Sequence, residues 1–197
     1  MKLYHTSNTE IRDPDIYRGR KNADFGPGFY LTPDMDFAYR WAGKDAIVNE
    51  YNLDEEGLLI HRFKRDEDWF NYIFQNRRVR DGLSVDVVIG PIANDTIFET
   101  LGIISSGLLS TADAMKILMI GPEFTQAAIK TEKAASQLKW IRSEKITKLD
   151  EAYRRAEQAE YDAAFAEVLQ EIIREIKTAD ENKYAARDLN EKHIYSP

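Results

Sequence analysis

The polar residues of this chain that could do chemistry lie in three short segments. The first, residues 3–8, reads LYHTSN and ends a predicted first strand. At that strand end the imidazole of His5 and the hydroxyls of Thr6 and Ser7 could hydrogen-bond ribose hydroxyls or a carboxamide. A histidine that lies at the surface, or bonds only its neighbours, is the alternative interpretation.

The second segment, residues 24–32, reads DFGPGFYLT. Gly26 and Gly28 flank a proline, and residues without a Cβ atom let the backbone approach a flat ligand closely. The turn leads directly into a predicted strand that begins with two aromatic residues. A plain turn before a core strand is the alternative interpretation.

The third segment, residues 126–137, is a short predicted strand that ends in Thr131 and Glu132 and leads into a helix. Thr131 is a favourable N-cap residue, and Glu132 would lie in the first helical turn, where negative charge is stabilised. One interpretation is therefore an ordinary helix start. The other is a functional carboxylate at the end of a strand.

Short runs of β-branched and aromatic residues, mixed with helical patterns, must position these segments within residues 1–149. The predicted strands cover 2–5, 29–32, 47–53, 58–63, 85–89, 124–130 and 138–146. The predicted helices cover 33–44 behind a Thr32 cap, 66–78, 95–105, and 111–119 behind Ser110. Because strands and helices do not alternate one for one, the pattern favours an α+β fold over a doubly wound parallel sheet.

We expect residues 148–197 to form a helical extension to a domain of residues 1–147, and residues 150–197 carry a net charge of −5. Apolar residues recur there at three- and four-residue steps, which predicts a long amphipathic helix. One row is Leu149, Ala152, Ala156, Ala159, Ala163, Ala166, Leu169, Ile173 and Ile176, and a second is Tyr161, Phe165, Val168 and Ile172. We expect this wide stripe to pack on the domain or on a second copy of the chain, with a dedicated partner protein as the alternative.

The composition excludes several classes of function. The 197 residues include no cysteine, which rules out disulfides, thiolate metal sites and a cysteine nucleophile, and three histidines make a poor zinc site. No run approaches the ~20 apolar residues of a membrane helix, and the amino terminus lacks a secretory signal. We therefore expect a soluble protein, either cytoplasmic or exported by a dedicated secretion system. The net charge of −7 gives no general attraction to nucleic acids.

Considered together, the three segments resemble a known family. LYHTSN, DFGPGFYLT and the late TEKA, with DVVIGPIAND at residues 86–95 between them, are similar to the bacterial family designated domain of unknown function 3990, in the ADP-ribosyltransferase superfamily. The resemblance covers most of residues 1–146 and none of the tail. It implies two small antiparallel sheets split around a cleft that holds NAD, with a His-Tyr-Glu signature and no metal.

The resemblance also implies roles for individual residues. His5 would bond the adenosine ribose, and the backbone of Thr6 would bond the nicotinamide amide, with Ser7 nearby. Tyr30 would stack on the nicotinamide ring, with Trp41 on its other face. Further NAD contacts are expected along the segment that leads into the cleft, from Arg20, Phe25, Gly26 and Gly28.

Glu132 would be the catalytic glutamate. Cleavage of the bond between nicotinamide and ribose builds oxocarbenium-like positive charge on the sugar, which a nearby carboxylate stabilises. The expected activity is mono-ADP-ribosyl transfer, a glycosyltransferase reaction, from NAD to a macromolecular acceptor. We expect a protein acceptor and a bacterial toxin or effector.

Two residues depart from the family pattern. Thr6 stands where the family usually has glycine, which adds a side chain beside the nicotinamide amide. Lys130 stands where many superfamily members carry Glu or Gln two residues before the catalytic glutamate, so arginine is not supported as the acceptor. A catalytically silent module that binds NAD or ADP-ribose is one alternative, and a helix-mediated interaction or toxin–antitoxin partner is another.

Overall fold

The computed structural model describes residues 1–43, 45–77, 82–93, 110–147 and 151–194, with side chains at all of these positions except 41, 111, 151–154 and 180–194. The described residues form seven strands and five helices. The strands are β1 (Lys2–Ser7), β2 (Phe29–Leu31), β3 (Ile47–Leu53), β4 (Ile60–Arg62), β5 (Val87–Pro91), β6 (Thr125–Ile129) and β7 (Leu138–Lys145). The helices are α1 (Met35–Trp41), α2 (Glu67–Asn76), α3 (Thr111–Leu118), α4 (Glu132–Gln137) and α5 (Glu151–Ile194).

The strands form two sheets that are joined at one point. A three-stranded antiparallel sheet has the order β1-β3-β7, and a four-stranded sheet has the order β2-β6-β5-β4. Two backbone hydrogen bonds of 2.8 Å between Tyr4 and Thr32 connect β1 to the end of β2. The predicted α+β class is therefore confirmed.

The four-stranded sheet is mixed rather than purely antiparallel. β6 is antiparallel to both β2 and β5, whereas β4 runs parallel to β5. A parallel pair needs a crossover connection, and α2 lies in the segment that makes it. The expectation that both sheets are antiparallel is therefore wrong for β4, whose sequence does not encode its direction.

Side chains alternate between the two faces of the four-stranded sheet, because successive strand residues point in opposite directions. On one face, Val87 and Ile129 belong to a core cluster that includes Tyr51 of the three-stranded sheet. On the other face, Val88 packs in a second cluster with residues of α2, α3 and α5. Trp69 of α2 is fully buried in that second cluster.

The predicted elements are largely confirmed. All seven predicted strands are present, with ends that differ by a few residues. The helices predicted over 33–44, 66–78 and 111–119 are present as α1, α2 and α3. The helix predicted over 95–105 lies outside the described residues.

The cap of α1 differs from the prediction. Asp34, not Thr32, caps the helix by accepting a hydrogen bond from the Phe37 N–H at 3.0 Å. The Thr32 hydroxyl instead donates to the Thr125 carbonyl at 2.7 Å. Thr32 was a reasonable cap by residue type, but its contact with β6 depends on tertiary structure.

The C-terminal helix α5 packs back on the domain along its aromatic and branched row. Ile172 is only 1 % exposed in the cluster that also contains Trp69, and three further residues of its row pack against the same cluster, namely Tyr161, Phe165 and Val168. The alanines of the other row, Ala156, Ala159, Ala163 and Ala166, are exposed. The larger side chains bury more apolar area per residue than alanine does, which favours this orientation.

Two ion pairs accompany this packing. Nη1 of Arg40, in α1, lies 2.6 Å from Oε1 of Glu157. Nζ of Lys116, in α3, lies 3.1 Å from Oε2 of Glu175. Ion pairs at the surface or only half-buried contribute little, so the apolar row holds the helix in place. None of the helices in the described part of the chain has both the length and the apolar character that a bilayer crossing requires.

Truncation of Ile172 should destabilise the whole domain. Ile172→Ala removes a side chain that is 1 % exposed and leaves a cavity in the core. We expect a loss of about 2–4 kcal/mol in the free energy of unfolding, measured by urea denaturation.

The neighbouring residue provides a matched control. Ile173 is 44 % exposed, so Ile173→Ala should cost less than about 1 kcal/mol. Both substitutions change the helix propensity equally, and only the burial differs. Equal losses for the two variants would contradict the packing of α5.

Candidate functional site

Glu132 is the first residue of α4, shortly after β6. Thr131 caps the helix as predicted, since its hydroxyl oxygen accepts a hydrogen bond from the Ala134 N–H at 3.2 Å. The Glu132 side chain is exposed, and the Tyr17 hydroxyl donates to its Oε1 atom at 3.2 Å. The carboxylate is thus accessible while the backbone that carries it is fixed.

Asp86, at the start of β5, holds the Thr131 cap in place. The Thr131 hydroxyl donates to Oδ1 of Asp86 at 2.7 Å, and the Leu59 N–H donates to Oδ2 at 2.9 Å. Asp86 is buried at 8 % exposure. The hydrogen bond from Leu59, followed by that from Thr131, lowers the pKa of Asp86, so this carboxylate is ionised at neutral pH.

The loop between β1 and β2 brings Tyr17 to Glu132. Ile16 anchors the loop, because it is 5 % exposed in the core between the two sheets. Gly19 lies so close to Gly28 that a Cβ atom on Gly19 would come within 2.2 Å of the Gly28 carbonyl oxygen. Only glycine at position 19 allows this contact, which fixes the loop on both sides of Tyr17.

The glycines of the DFGPG turn have structural reasons of their own. A Cβ atom on Gly28 would lie 2.7 Å from the Ile129 carbonyl oxygen, so the pairing of β2 with β6 requires glycine there. Gly26 has a φ of 75°, in the left-handed region that glycine adopts readily. Their contact with a flat ligand stays a prediction.

The phenol of Tyr30 closes the turn that precedes β2. Its hydroxyl donates to the Gly26 carbonyl at 2.7 Å and accepts from the Phe25 N–H at 2.9 Å. Its ring packs, partly buried, against the cluster that contains Phe25. The observed role of this side chain is to shape the turn, and its stacking on nicotinamide stays a prediction.

His5 has a defined tautomer. Its Nδ1 atom lies 2.6 Å from the Tyr30 carbonyl oxygen. Because a carbonyl only accepts hydrogen bonds, Nδ1 carries the hydrogen, and Nε2 of the neutral ring is an acceptor. Burial lowers the pKa of His5, and the bond to Tyr30 opposes this only in part. His5 is therefore neutral at neutral pH.

The hydroxyls next to His5 bond the protein itself. Thr6 donates to the Ala38 carbonyl of α1 at 2.7 Å. Ser7 donates to the Thr9 carbonyl at 2.5 Å and accepts from the Asn49 amide at 3.3 Å. The side chain of Thr6 thus fastens α1 to β1. The NAD contacts of Thr6 and Ser7 stay predictions.

Asp24 anchors the same turn from its first residue. Its carboxylate is 5 % exposed and accepts hydrogen bonds from Arg77 Nε at 2.8 Å, the Ala93 N–H at 3.1 Å and the Gln126 amide at 2.8 Å. A buried charge of this kind is tolerated only when it is paired and fully hydrogen-bonded. Asp24 therefore ties the turn to the end of α2, to the end of β5 and to β6.

The remaining predicted residues are placed as follows. The Phe25 ring is fully buried, and its expected contact with NAD stays a prediction. Lys130 donates a hydrogen bond to the Phe25 carbonyl. Arg20 is exposed on the β1–β2 loop. Trp41 is the last residue of α1, and its side chain lies outside the described residues.

The three signature residues come from neighbouring elements. β2 lies between β1 and β6, since Thr32 bridges to Tyr4 and Tyr30 pairs with Ala128. Glu132 follows shortly after that β6 residue. An accessible carboxylate and a neutral imidazole acceptor, on segments that flank β2, can bind sugar hydroxyls and stabilise positive charge. No group of three or more potential metal ligands is arranged to hold an ion among the residues that the structure describes.

Sequence reasoning did not assign roles to Tyr17, Asp86 or Asp24. Asp86 opens the run DVVIGP, and an acid directly before a buried strand is a signal that could have been noticed. Asp24 opens DFGPG in the same way. Tyr17 carries no comparable signal, because its position depends on how a long loop folds back.

Comparison with protein-family models gives a match over residues 1–140 to the family described as "Protein of unknown function (DUF3990)". The matched range includes His5, Tyr30 and Glu132 and leaves out α5. No curated protein and no solved structure matches the chain.

Asp86→Asn should loosen the turn that carries Glu132. The loss of charge weakens the hydrogen bonds from Leu59 and Thr131, and we expect a loss of about 1–3 kcal/mol in the free energy of unfolding at pH 7. Because the folded-state pKa of Asp86 is lowered, its contribution is complete above the unfolded pKa of about 3.9 and is lost as the pH falls through the folded pKa.

Urea denaturation over a range of pH values measures this effect. The difference between wild type and Asp86→Asn should shrink in acid, and a constant difference would contradict the assignment. Asp13→Asn, at an exposed position of the β1–β2 loop, is the control and should change the free energy by less than about 0.5 kcal/mol.

His5 should become protonated only at a pH below ~6.5, which is the ordinary pKa of histidine. Burial lowers its folded-state pKa, so the unfolded chain binds the proton first and stability should fall as the pH drops from ~6.5 towards the folded pKa. NMR titration of the ring measures the pKa, and nitrogen shifts should identify Nδ1 as the protonated atom. A midpoint at or above ~6.5 would rule out this environment.

Proposed function

We propose that this chain, which belongs to the DUF3990 family, is a mono-ADP-ribosyltransferase that transfers ADP-ribose from NAD to a macromolecular acceptor. The observation that carries the proposal is the Glu132 carboxylate, which is exposed, extends from a backbone position held through Thr131 and Asp86, and accepts a hydrogen bond from a hydroxyl group. In the proposed reaction the carboxylate accepts a hydrogen bond from the 2′-hydroxyl of the nicotinamide ribose.

The state of His5 supports the same assignment. Its Nε2 atom is an acceptor, because Nδ1 donates to the Tyr30 carbonyl. Ribose hydroxyls are donors, and they fit an acceptor nitrogen and a carboxylate equally well. NAD carries one ribose at each end of its diphosphate, so we assign the adenosine ribose to His5 and the nicotinamide ribose to Glu132.

The chemistry needs a carboxylate whose position is set before the reaction. When the bond between nicotinamide and C1′ breaks, positive charge develops on the ribose, as at other glycosidic centres. A fixed carboxylate stabilises that charge without reorganising, which is the main advantage that a protein has over water. The hydrogen bond from Thr131 to Asp86 holds the helix start from which Glu132 extends, and the hydrogen bond from Tyr17 engages the carboxylate itself. Nicotinamide leaves as a neutral base, so no general acid is required.

A catalytically silent module that binds NAD or ADP-ribose is the second candidate, and Lys130 favours it. Where many superfamily members carry an acceptor-directing Glu or Gln, this lysine bonds the Phe25 carbonyl. The same observation also fits an enzyme whose acceptor is not arginine. Calorimetry separates the two, because tight NAD binding without nicotinamide release would favour the module.

The other expectations rest on the family resemblance alone. Action as a toxin or effector, a protein acceptor, and either a cytoplasmic location or export by a dedicated secretion system belong to this group. A role of α5 in binding a partner gains no support from its packing, because Ile172 and its row cover the core of the same chain.

Glu132→Gln tests the proposed activity most directly. The substitution keeps the size and hydrogen-bonding capacity of the side chain and removes its charge. We expect nicotinamide release from NAD to fall by at least ~100-fold, the scale of removing one preorganised transition-state contact. Release is measured by chromatography of labelled nicotinamide.

Glu67→Gln is the matched control. Glu67 is also exposed, and it is also the first residue of a helix directly after its N-cap, Asp66. It should release nicotinamide within about twofold of wild type, since surface substitutions away from a site usually have small effects. No release by the wild type, or undiminished release by Glu132→Gln, would count against the proposed function.

A further inference from the structure

Tyr17 provides the hydroxyl that is hydrogen-bonded to Glu132. Its Oη atom donates to Oε1 of Glu132 at 3.2 Å. The Tyr17 side chain is otherwise largely in solvent, with 75 % exposure. An accessible phenol is therefore held at the one carboxylate to which the proposed function assigns the transfer step.

The backbone around Tyr17 is held in a defined conformation. The Tyr17 N–H donates to Oδ1 of Asp15 at 2.9 Å, which closes a tight turn. Ile16 is buried in the core, and Gly19 lies against the Gly28 carbonyl oxygen. These contacts fix the loop immediately before and after Tyr17, so the phenol is presented to Glu132 by an ordered segment.

The charge of Glu132 determines the protonation state of the Tyr17 phenol before the reaction. The negative charge of Glu132 raises the pKa of Tyr17, so the phenol is protonated at neutral pH. A phenol is a good nucleophile only when it loses its proton during attack. The hydrogen bond already directs that proton to a carboxylate oxygen, and a carboxylate in this position can act as a general base.

We propose, on the basis of the proposed function, that Tyr17 is itself an acceptor and that the chain modifies its own Tyr17 with ADP-ribose. In this step Oη of Tyr17 forms a bond to C1′ of the nicotinamide ribose. The bond between C1′ and the nicotinamide nitrogen breaks, and its electron pair leaves with neutral nicotinamide. The phenolic proton passes to the Glu132 carboxylate and then to water. The products are a tyrosine O-glycoside, nicotinamide and one proton.

This geometry also indicates a class of external acceptor. A group that replaces Tyr17 at Glu132 must donate a hydrogen bond to the carboxylate, as the hydroxyl of a tyrosine or serine side chain does. A guanidinium acceptor would need a second directing group at position 130, where Lys130 instead bonds the Phe25 carbonyl. Modification of Tyr17 would then occupy the position of an external acceptor and limit transfer to it.

Peptide mass spectrometry tests the proposal with the full chain. After incubation with NAD, trypsin releases residues 13–18, DPDIYR, in which Tyr17 is the only hydroxyl-bearing side chain. We expect one ADP-ribose on this peptide, and we expect it to survive hydroxylamine, which cleaves the esters that Asp13 or Asp15 would form. Within one chain the reaction is first order, so its rate constant should not change when the protein is diluted tenfold.

Tyr39 is an internal control in the same digest. Its hydroxyl also donates to a carboxylate, Glu144 Oε2 at 2.8 Å, but that pair lies on α1 and β7. The peptide of residues 22–40, which carries Tyr39, should stay unmodified. Tyr17→Phe should remove the mark from the 13–18 peptide, and Glu132→Gln should reduce it at least tenfold.

The outcomes separate this inference from the proposed function. Nicotinamide release without a hydroxylamine-resistant mark on Tyr17 overturns the inference and leaves the transferase activity standing. No nicotinamide release under any condition overturns the proposed function, and the inference with it. Equal marks on Tyr17 and Tyr39, or a mark that persists in Glu132→Gln, also overturn the inference, because the modification would then not depend on the Glu132 carboxylate.

Discussion

The buried carboxylate of Asp24 is the contact on which the arrangement of this domain depends. At 5 % exposure it accepts hydrogen bonds from Arg77, the Ala93 N–H and Gln126. A carboxylate in this environment is stable only if each partner is in place, since an unpaired buried charge costs several kcal/mol. The end of α2, the end of β5 and the start of β6 are therefore fixed relative to one residue, and that residue begins the turn before β2.

Because Asp24 fixes that turn, the turn also fixes where β2 lies relative to the candidate site. The Tyr30 hydroxyl closes it, and Gly28 lets β2 approach β6 without a clash at the Ile129 carbonyl. β2 can then bridge to β1 at Tyr4 and pair with β6 at once, which places His5 and Glu132 on the two segments that flank β2. Two further carboxylates make contacts at the site. Asp86 accepts a hydrogen bond from Thr131, the cap of α4, and Glu132 accepts one from the Tyr17 hydroxyl. Carboxylates thus organise this region at three levels, in the core, at the helix cap and at the accessible surface.

Local patterns predicted most of the elements but not all of their contacts. Seven strands follow from β-branched and aromatic runs, and Ser110 and Thr131 cap their helices because capping depends on nearby backbone N–H groups. The direction of β4 and the cap of α1 could not be predicted in this way, since a crossover and the Thr125 carbonyl decide them. In α5 the spacing predicted a helix with two apolar rows. The row that contains Ile172 packs against the core, whereas the alanines of the other row are exposed.

Motifs and periodicity are local properties of the linear order of residues, so they were enough to predict the family and the α+β class and to select His5, Tyr30 and Glu132 as candidates. Which polar groups meet depends on the tertiary structure. In the folded chain the Tyr30 hydroxyl bonds the turn that precedes its own strand, and the Phe25 ring is buried. Lys130 bonds a backbone carbonyl, and Tyr17 lies beside Glu132. Each of these contacts depends on which groups are buried and on which hydrogen-bond partners the rest of the chain brings near them. No short window of sequence contains that information.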